Sequence, residues 1–206
     1  MKKSLIIAIA SITLFIFISE QVAVHGIITQ ADKPINLMMT GLQTEPFISL
    51  SKVIHYSFEI LPLLLLAVII SLLFWLNKRK LNAIMLMAGV GLSSMLLFFL
   101  KLFFKSSRPI NALVTENNFS YPSGHVLISI VLFGLLIFFY WKSFSKSKKI
   151  LASILHIALI ITIAFSRLYL NVHWLSDIFG SITLGSFCLF TTIYLYNLIS
   201  RGGTFK

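Results

Sequence analysis

The sequence predicts an all-α membrane protein: a bundle of six transmembrane helices, N-in and C-in, forming one domain over residues 1–206. Three observations carry that expectation. Apolar residues make up 58% of the 206, above the ~45–50% of ordinary soluble domains, and mean hydropathy is +0.95. Apolar runs near ~20 residues with few charges recur along the chain, and that length crosses a hydrocarbon core. Basic residues gather in every second polar segment between the runs.

The runs fall at about 4–19 (extending toward Val24), 58–76, 83–104, 126–141, 150–166 and 178–199. The first, in "MKKSLIIAIASITLFIFIS", has the basic start and apolar core of a signal peptide. The following "EQVAVHG" lacks a small-x-small cleavage site, so a retained span is expected. An outer loop over about 20–57 follows, and its "INLMMTGL" and "PFISLSKVIHYSF" are too short to span. They suit amphipathic pieces at the interface, serving as a lid, a lipid entrance or an inert connector. In the second run, Pro62 sits in the first turn, where it is tolerated, and Glu59 reads as an interfacial carboxylate, with contact to the site as the alternative. In the third, Gly89, Gly91, Ser93 and Ser94 suit close helix packing.

Lys2, Lys3, Lys78, Arg79, Lys80, Lys142, Lys146, Lys148, Lys149, Arg201 and Lys206 occupy the alternate segments, eleven of the seventeen basic residues. The positive-inside rule places those segments in the cytoplasm. All six acidic residues (Glu20, Asp32, Glu45, Glu59, Glu116, Asp177) fall on or near the outer side. A net charge of +11 would suggest nucleic acid in a soluble protein; distributed in this way it reports topology instead. The single cysteine, Cys188, lies in the last run, so no intramolecular disulfide and no cysteine metal site is expected.

Three polar clusters occupy the outer side. In "KLFFKSSRP", a helix running on to Ser107 would place Lys101, Lys105 and Arg108 on one face, with Pro109 ending it. Like charges at that spacing repel, and an anion between them would reverse the sign; lysines snorkelling to the interface are the plainer reading. In "YPSGH", Ser123 suits an N-cap and Gly124 permits close approach of a ligand to the backbone. The helix start favours an anion, with His125 in the first turn beside it. In "SRLYLNVHWLSD", His173 and Asp177 are four apart and would touch on a helix face. A carboxylate on one ring nitrogen fixes the tautomer and makes the other a better nucleophile, and Arg167 offers a donor fork suited to phosphate. Taken singly, each cluster is equally a capped helix start or an interfacial ion pair. Together, two histidines and three cations at one membrane face describe an anion site. They do not suit a divalent metal, because the one nearby carboxylate already has a histidine partner.

These residues resemble the type 2 phosphatidic acid phosphatase superfamily, whose motifs are K-x6-R-P, P-S-G-H and S-R-x5-H-x3-D. The chain carries Lys101, Arg108 and Pro109; Pro122, Ser123, Gly124 and His125; and Ser166, Arg167, His173 and Asp177, at those spacings. The resemblance extends to the six-span layout of the bacterial membrane lipid phosphatases. It implies that His173 attacks phosphorus with Asp177 orienting it, and that His125 protonates the leaving oxygen and later activates water. Lys101, Arg108, Ser123, Gly124 and Arg167 would hold the phosphate. No metal or other cofactor is implied; the partners are a lipid phosphate and the bilayer, not nucleic acid. The site would face the periplasm from the cytoplasmic membrane of a bacterium. Undecaprenyl pyrophosphate, phosphatidylglycerol phosphate, phosphatidic acid and lipid A phosphates all belong to the substrate range so implied. Transfer of the phosphate to another lipid would use the same residues. A non-catalytic phospholipid-binding relative would be expected to lose His173, His125 or Asp177, and all three are present. Lys105 lies outside the motif, and His25, His55 and His156 carry none.

Overall fold

The computed structural model describes residues 2–202. Eight α-helices follow in order: α1 (Lys2–Ala23), α2 (Asp32–Gly41), α3 (Glu45–Ser57), α4 (Ile60–Leu76), α5 (Lys80–Phe104), α6 (Gly124–Tyr140), α7 (Lys146–Tyr169) and α8 (Leu175–Arg201). Among the described residues there is no strand. Lys206, counted above for orientation, lies outside them.

Five helices are long and apolar enough to cross a membrane: α1, α5, α6, α7 and α8. The expected run at 58–76 becomes α4, which has 17 residues. It reaches spanning length only together with α3, from which it is bent by 46°. Among the described residues there are thus five such helices, or six with that bent pair counted as one span.

Burial explains why the long helices are apolar in different ways. On α6, Val126, Leu127, Ile128, Val131, Leu132 and Leu135 are buried around the whole circumference, which marks it as the hub. It packs against α5, α7 and α8, while α1 lies along α8 and α4 along α5. The outer helices expose Leu61, Leu65, Ile69, Leu72, Ile154, Leu155 and Ile161. A belt of large apolar side chains on backbone already satisfied by helical hydrogen bonds suits hydrocarbon as the surrounding solvent.

Cross-helix contacts define the two ends of the bundle. At one end, Ser19 of α1 hydrogen-bonds Tyr121 just before α6 (2.8 Å), and Ser123 at the start of α6 meets Ser181 of α8. At the other, Arg79 before α5 donates to Phe139 O of α6 and lies over the Tyr140 ring, while Lys149 of α7 lies over Trp141. All three polar clusters belong to the first end.

Several local expectations are corrected. α5 stops at Phe104, because Lys105 takes a left-handed conformation (φ 46°) and caps it. Lys101, Lys105 and Arg108 therefore do not share a helix face; Lys105 is exposed, and Arg108 lies in the loop. Ser123 holds the N-cap position of α6 without a side-chain cap bond. A Cβ on Gly124 would meet Ile60 and Leu97 side chains at 2.7–2.8 Å, so tight helix packing requires that glycine. Gly89 abuts Leu135 closely, whereas Gly91 faces open space.

Gly180 faces a rigid, buried ring. A Cβ there would come within 2.5 Å of the Tyr121 ring and hydroxyl, and Tyr121 is fully buried against Phe104 and Phe15. The ring has no room to yield, and overpacking costs ~1–3 kcal/mol. Gly180→Ala should lower the thermal midpoint of the detergent-solubilised protein, and an unchanged midpoint would show that Tyr121 relaxes freely.

Candidate active site

α8 begins at Leu175, two residues after His173, with Trp174 at its N-cap. Asp177 is the third helical residue and turns back to accept the Trp174 N–H (2.9 Å). The same oxygen, Oδ2, accepts from His173 Nδ1 (3.0 Å) and from the Ser120 hydroxyl. The i, i+4 pair is made, yet by a helix cap and not by a shared helix face. Both side chains are 1% exposed.

With Nδ1 donating to the carboxylate, the free nitrogen of His173 is Nε2, and Arg108 Nη1 approaches it at 3.3 Å. Arg108 also donates to Val172 O (2.6 Å), to Asn118 O (2.8 Å) and to Glu116 (3.4 Å). Burial, first, and then the Arg108, Lys101 and Arg167 charges hold the His173 imidazole well below its usual 6.5, and so neutral. Burial likewise lowers Arg108, with Glu116 and Asp177 opposing that shift.

Lys101, at the end of α5, is 8% exposed and donates to Asn118 Oδ1 (3.2 Å) and to Phe119 O. Asn118 Oδ1 also accepts from Arg108, which links the two cations through one loop residue. Arg167, at the end of α7, is completely buried. Its Nε and Nη2 donate to Ser166 Oγ and its Nη1 to His55 Nδ1. No carboxylate lies within 4.0 Å of it among the described residues. His125 is buried, its ring stacked on that of His55 with centroids 5.2 Å apart.

Residues 101–108, 118–125 and 166–177 therefore converge at one end of the bundle. Four buried polar atoms there have no hydrogen-bond partner among the described residues: Glu116 Oε1, Ser123 Oγ, His125 Nε2 and Asp177 Oδ1. Buried polar groups are nearly always paired, so such a cluster, among three cations, points to a polar ligand. A cavity of about 350 Å³, lined by Arg108, Pro109, Leu113, Thr115 and Glu116 among others, adjoins it.

Ser120, Asn118, Glu116, His55 and Glu59 join the site beyond the residues expected. His55, from the 20–57 segment, has no motif to mark it; Glu59 keeps a half-exposed side chain, and its Oε1 lies 3.6 Å from His55 Nε2. Both carry the i, i+4 histidine–carboxylate spacing of His173 and Asp177, the signal that would have found them. The 20–57 segment thus brings His55 against Arg167. It is also pinned above the site by Asn36 and Thr40 on Asn171 and by Thr44 N and Leu42 O on the Tyr169 hydroxyl.

His55, Glu116 and His125 each place one ligand atom within 4.8 Å of the others. His55 Nδ1 already faces the Arg167 guanidinium and Glu116 faces Arg108. A divalent cation there would sit against two positive charges already paired with those ligand groups.

The chain matches the PAP2 superfamily over residues 4–201. Phosphatidylglycerophosphatase B of Bacillus subtilis (strain 168) is 30% identical over 132 residues, 62% of this chain. The match spans 64% of that relative, less than two thirds of its length. Among solved structures, the first transmembrane PAP2 type phosphatidylglycerolphosphate phosphatase from Bacillus subtilis superposes with a TM-score of 0.83 at 24% identity, covering 92% of this chain and 96% of that one. Aquifex aeolicus LpxE superposes at 0.64 with 19% identity, over 80% of this chain and 95% of that one. With the three motifs, the converging site and the shared membrane fold, the chain belongs to the PAP2 superfamily.

Proposed function

We propose that this chain hydrolyses a phosphate ester or pyrophosphate on a membrane lipid headgroup, through a phosphohistidine, and releases inorganic phosphate. The observation that carries this reading is the fully buried Arg167 with no carboxylate partner, gathered with Lys101 and Arg108 about the Asp177-held His173. Such a set stabilises a phosphate and the charge that develops on it.

In the reaction, Arg108 transfers its donors from His173 Nε2 to phosphate oxygens, freeing the lone pair. Nε2 attacks phosphorus in line, the bond to the leaving oxygen breaks, and His125, entering the step as the imidazolium beside the bound phosphate anion, gives that oxygen its proton. Asp177 stabilises the positive charge gained by the imidazole. His125 then takes a proton from water as the water oxygen bonds to phosphorus, and His173 departs neutral. Lys101, Arg167, Ser123 and the Gly124 N–H hold the phosphate through both steps. No metal or cofactor enters this scheme.

We read residues 1–206 as one integral domain with six spans, the bent α3–α4 pair forming the second, and with N-in/C-in orientation. The alternating directions of α1, α4, α5, α6, α7 and α8 support this, as does the end of the bundle opposite the site, which carries Lys3, Arg79, Lys80, Lys146 and Lys149. The site then faces the periplasm from the bacterial cytoplasmic membrane, where a headgroup reaches it with its tail still in the bilayer.

The test is phosphate release by purified protein from phosphatidylglycerol phosphate, undecaprenyl pyrophosphate, phosphatidic acid and lipid A, without an added acceptor. The relative's name puts phosphatidylglycerol phosphate first in the panel. Phosphate freed from at least one is expected; release only when an acceptor lipid is supplied would make the chain a transferase, and none at all would end the reading.

The depressed pKa of His173 sets the acid side of the pH profile. The neutral ring is the competent one, so activity is present above that pKa and is lost only as pH falls through it, well below 6.5. Arg108→Gln removes the nearest cation and lets the pKa rise, so the acid limb of kcat/KM should move upward toward 6.5 as the rate falls. A limb that stays in place would remove Arg108 from control of His173.

A further inference from the structure

α3 is amphipathic in a reversed sense. Its buried residues are Ser51 and His55, while Phe47, Leu50 and Val53 on the same helix are each more than half exposed. Of its apolar residues only Ile48 and Ile54 are half-buried, and Ile54 packs on the core. The helix lies against α7 with Ser51 and His55 turned toward the protein and Phe47, Leu50 and Val53 turned away from it.

His55 is the residue this arrangement delivers, and it is 2% exposed. Arg167 has five N–H donors. Three directions are taken: Nε and Nη2 reach Ser166, its own chain neighbour, and Nη1 reaches His55. His55 is therefore the one partner among the described residues that ties the guanidinium to another helix. Two N–H groups, one on each terminal nitrogen, stay available for phosphate oxygens. Because Nδ1 of His55 accepts, its proton sits on Nε2, which faces Glu59 Oε1. The same ring stacks on His125 at 5.2 Å with 28° between the planes.

We propose that His55 is a positioning residue of this phosphatase: its Nδ1 aims the Arg167 fork at the phosphate, and Glu59 holds the tautomer that lets it do so. The proposal rests on the phosphatase reading and adds a third histidine, from outside the three motifs, to the machinery. A charged donor held in one direction before the reaction needs no reorganisation as phosphate charge develops. Losing one hydrogen bond to a charged group corresponds to a roughly 10- to 100-fold effect.

The test compares two substitutions with different chemistry. His55→Phe keeps an aromatic ring against His125 and removes the acceptor. His55→Asn keeps an oxygen near the place of Nδ1 and removes the Nε2–H. Expected results are a loss of about 10- to 100-fold in kcat/KM for H55F and less than about fivefold for H55N. In an Arg167→Met background, H55F should cost less than about twofold, because the group it positions is gone. Stabilisation by inorganic phosphate, read as a thermal shift, should follow the same ranking in the absence of any lipid. H55F at wild-type activity, H55N as impaired as H55F, or an H55F penalty undiminished in the R167M background would each overturn the proposal. If H55F does not fold, His55→Leu is measured in its place with the same expectation. Failure of the phosphatase reading is distinguishable: wild-type protein would release phosphate from no lipid, while the ranking of phosphate-induced shifts would still report on His55.

Discussion

His173→Asn should abolish phosphate release, by about 10⁴-fold or more, while leaving the fold and phosphate binding in place. The asparagine amide occupies nearly the position of Nδ1 and can still donate to Asp177 Oδ2, which keeps its bonds from Ser120 and Trp174. The cap at the start of α8 therefore survives. What disappears is Nε2, the only atom of the residue that faces Arg108 and the only one placed to bond phosphorus. Acid-labile phosphate should be trapped on wild-type protein during turnover and be missing from the variant. Inorganic phosphate should still raise the variant's thermal midpoint, since Lys101, Arg108 and Arg167 all remain. Normal turnover by the asparagine variant would remove His173 as nucleophile.

Arg167→Met should divide activity from stability. Removing one preorganised donor to the transition state costs about 10²–10³ in rate. The folded protein should nevertheless become more stable when phosphate-free. Arg167 is completely buried with no carboxylate within 4.0 Å among the described residues, Glu116 and Glu59 acting on it only from farther away, and the effective penalty for burying an ion without a direct partner is several kcal/mol. Against that stands His55 Nδ1, which loses its donor at a cost of ~1–3 kcal/mol. The first term is the larger, so the thermal midpoint should rise, by about 2–4 °C for each kcal/mol gained. Added phosphate stabilises a protein that binds it in the native state; that increment should be large for wild type and small for R167M. A variant less stable than wild type without phosphate would show that the guanidinium is already compensated within the fold.

The two variants touch residues that chain spacing alone could find. Lys101 to Arg108, Ser123 to His125, and Arg167 to Asp177 are three short segments in which charged or capping residues interrupt apolar runs, where they are costly. Their meeting follows once the runs alternate in direction across a bilayer. Some geometry was not legible. His173 and Asp177 do touch, but α8 begins only at Leu175 and the contact is a cap. Arg108 reaches His173 because Lys105 turns the chain in a left-handed conformation, which a lysine seldom adopts and no motif announces.

His55 shows the limit most plainly. It lies 112 residues from Arg167, on a helix whose pattern reads as interfacial. Its four-residue spacing to Glu59 was visible, yet nothing local told it apart from a surface pair. The sequence by itself determined the helices, through apolar runs long enough to need a membrane, the distribution of basic loops between them, and the motif residues with their family. Only the tertiary structure decided which polar groups share the buried end of the bundle, which nitrogen of His173 is free, and that the outer loop contributes to the site. Periodicity along a chain fixes which residues share a face of one helix. Which faces meet depends on packing between helices far apart in sequence, and that information resides in no single segment.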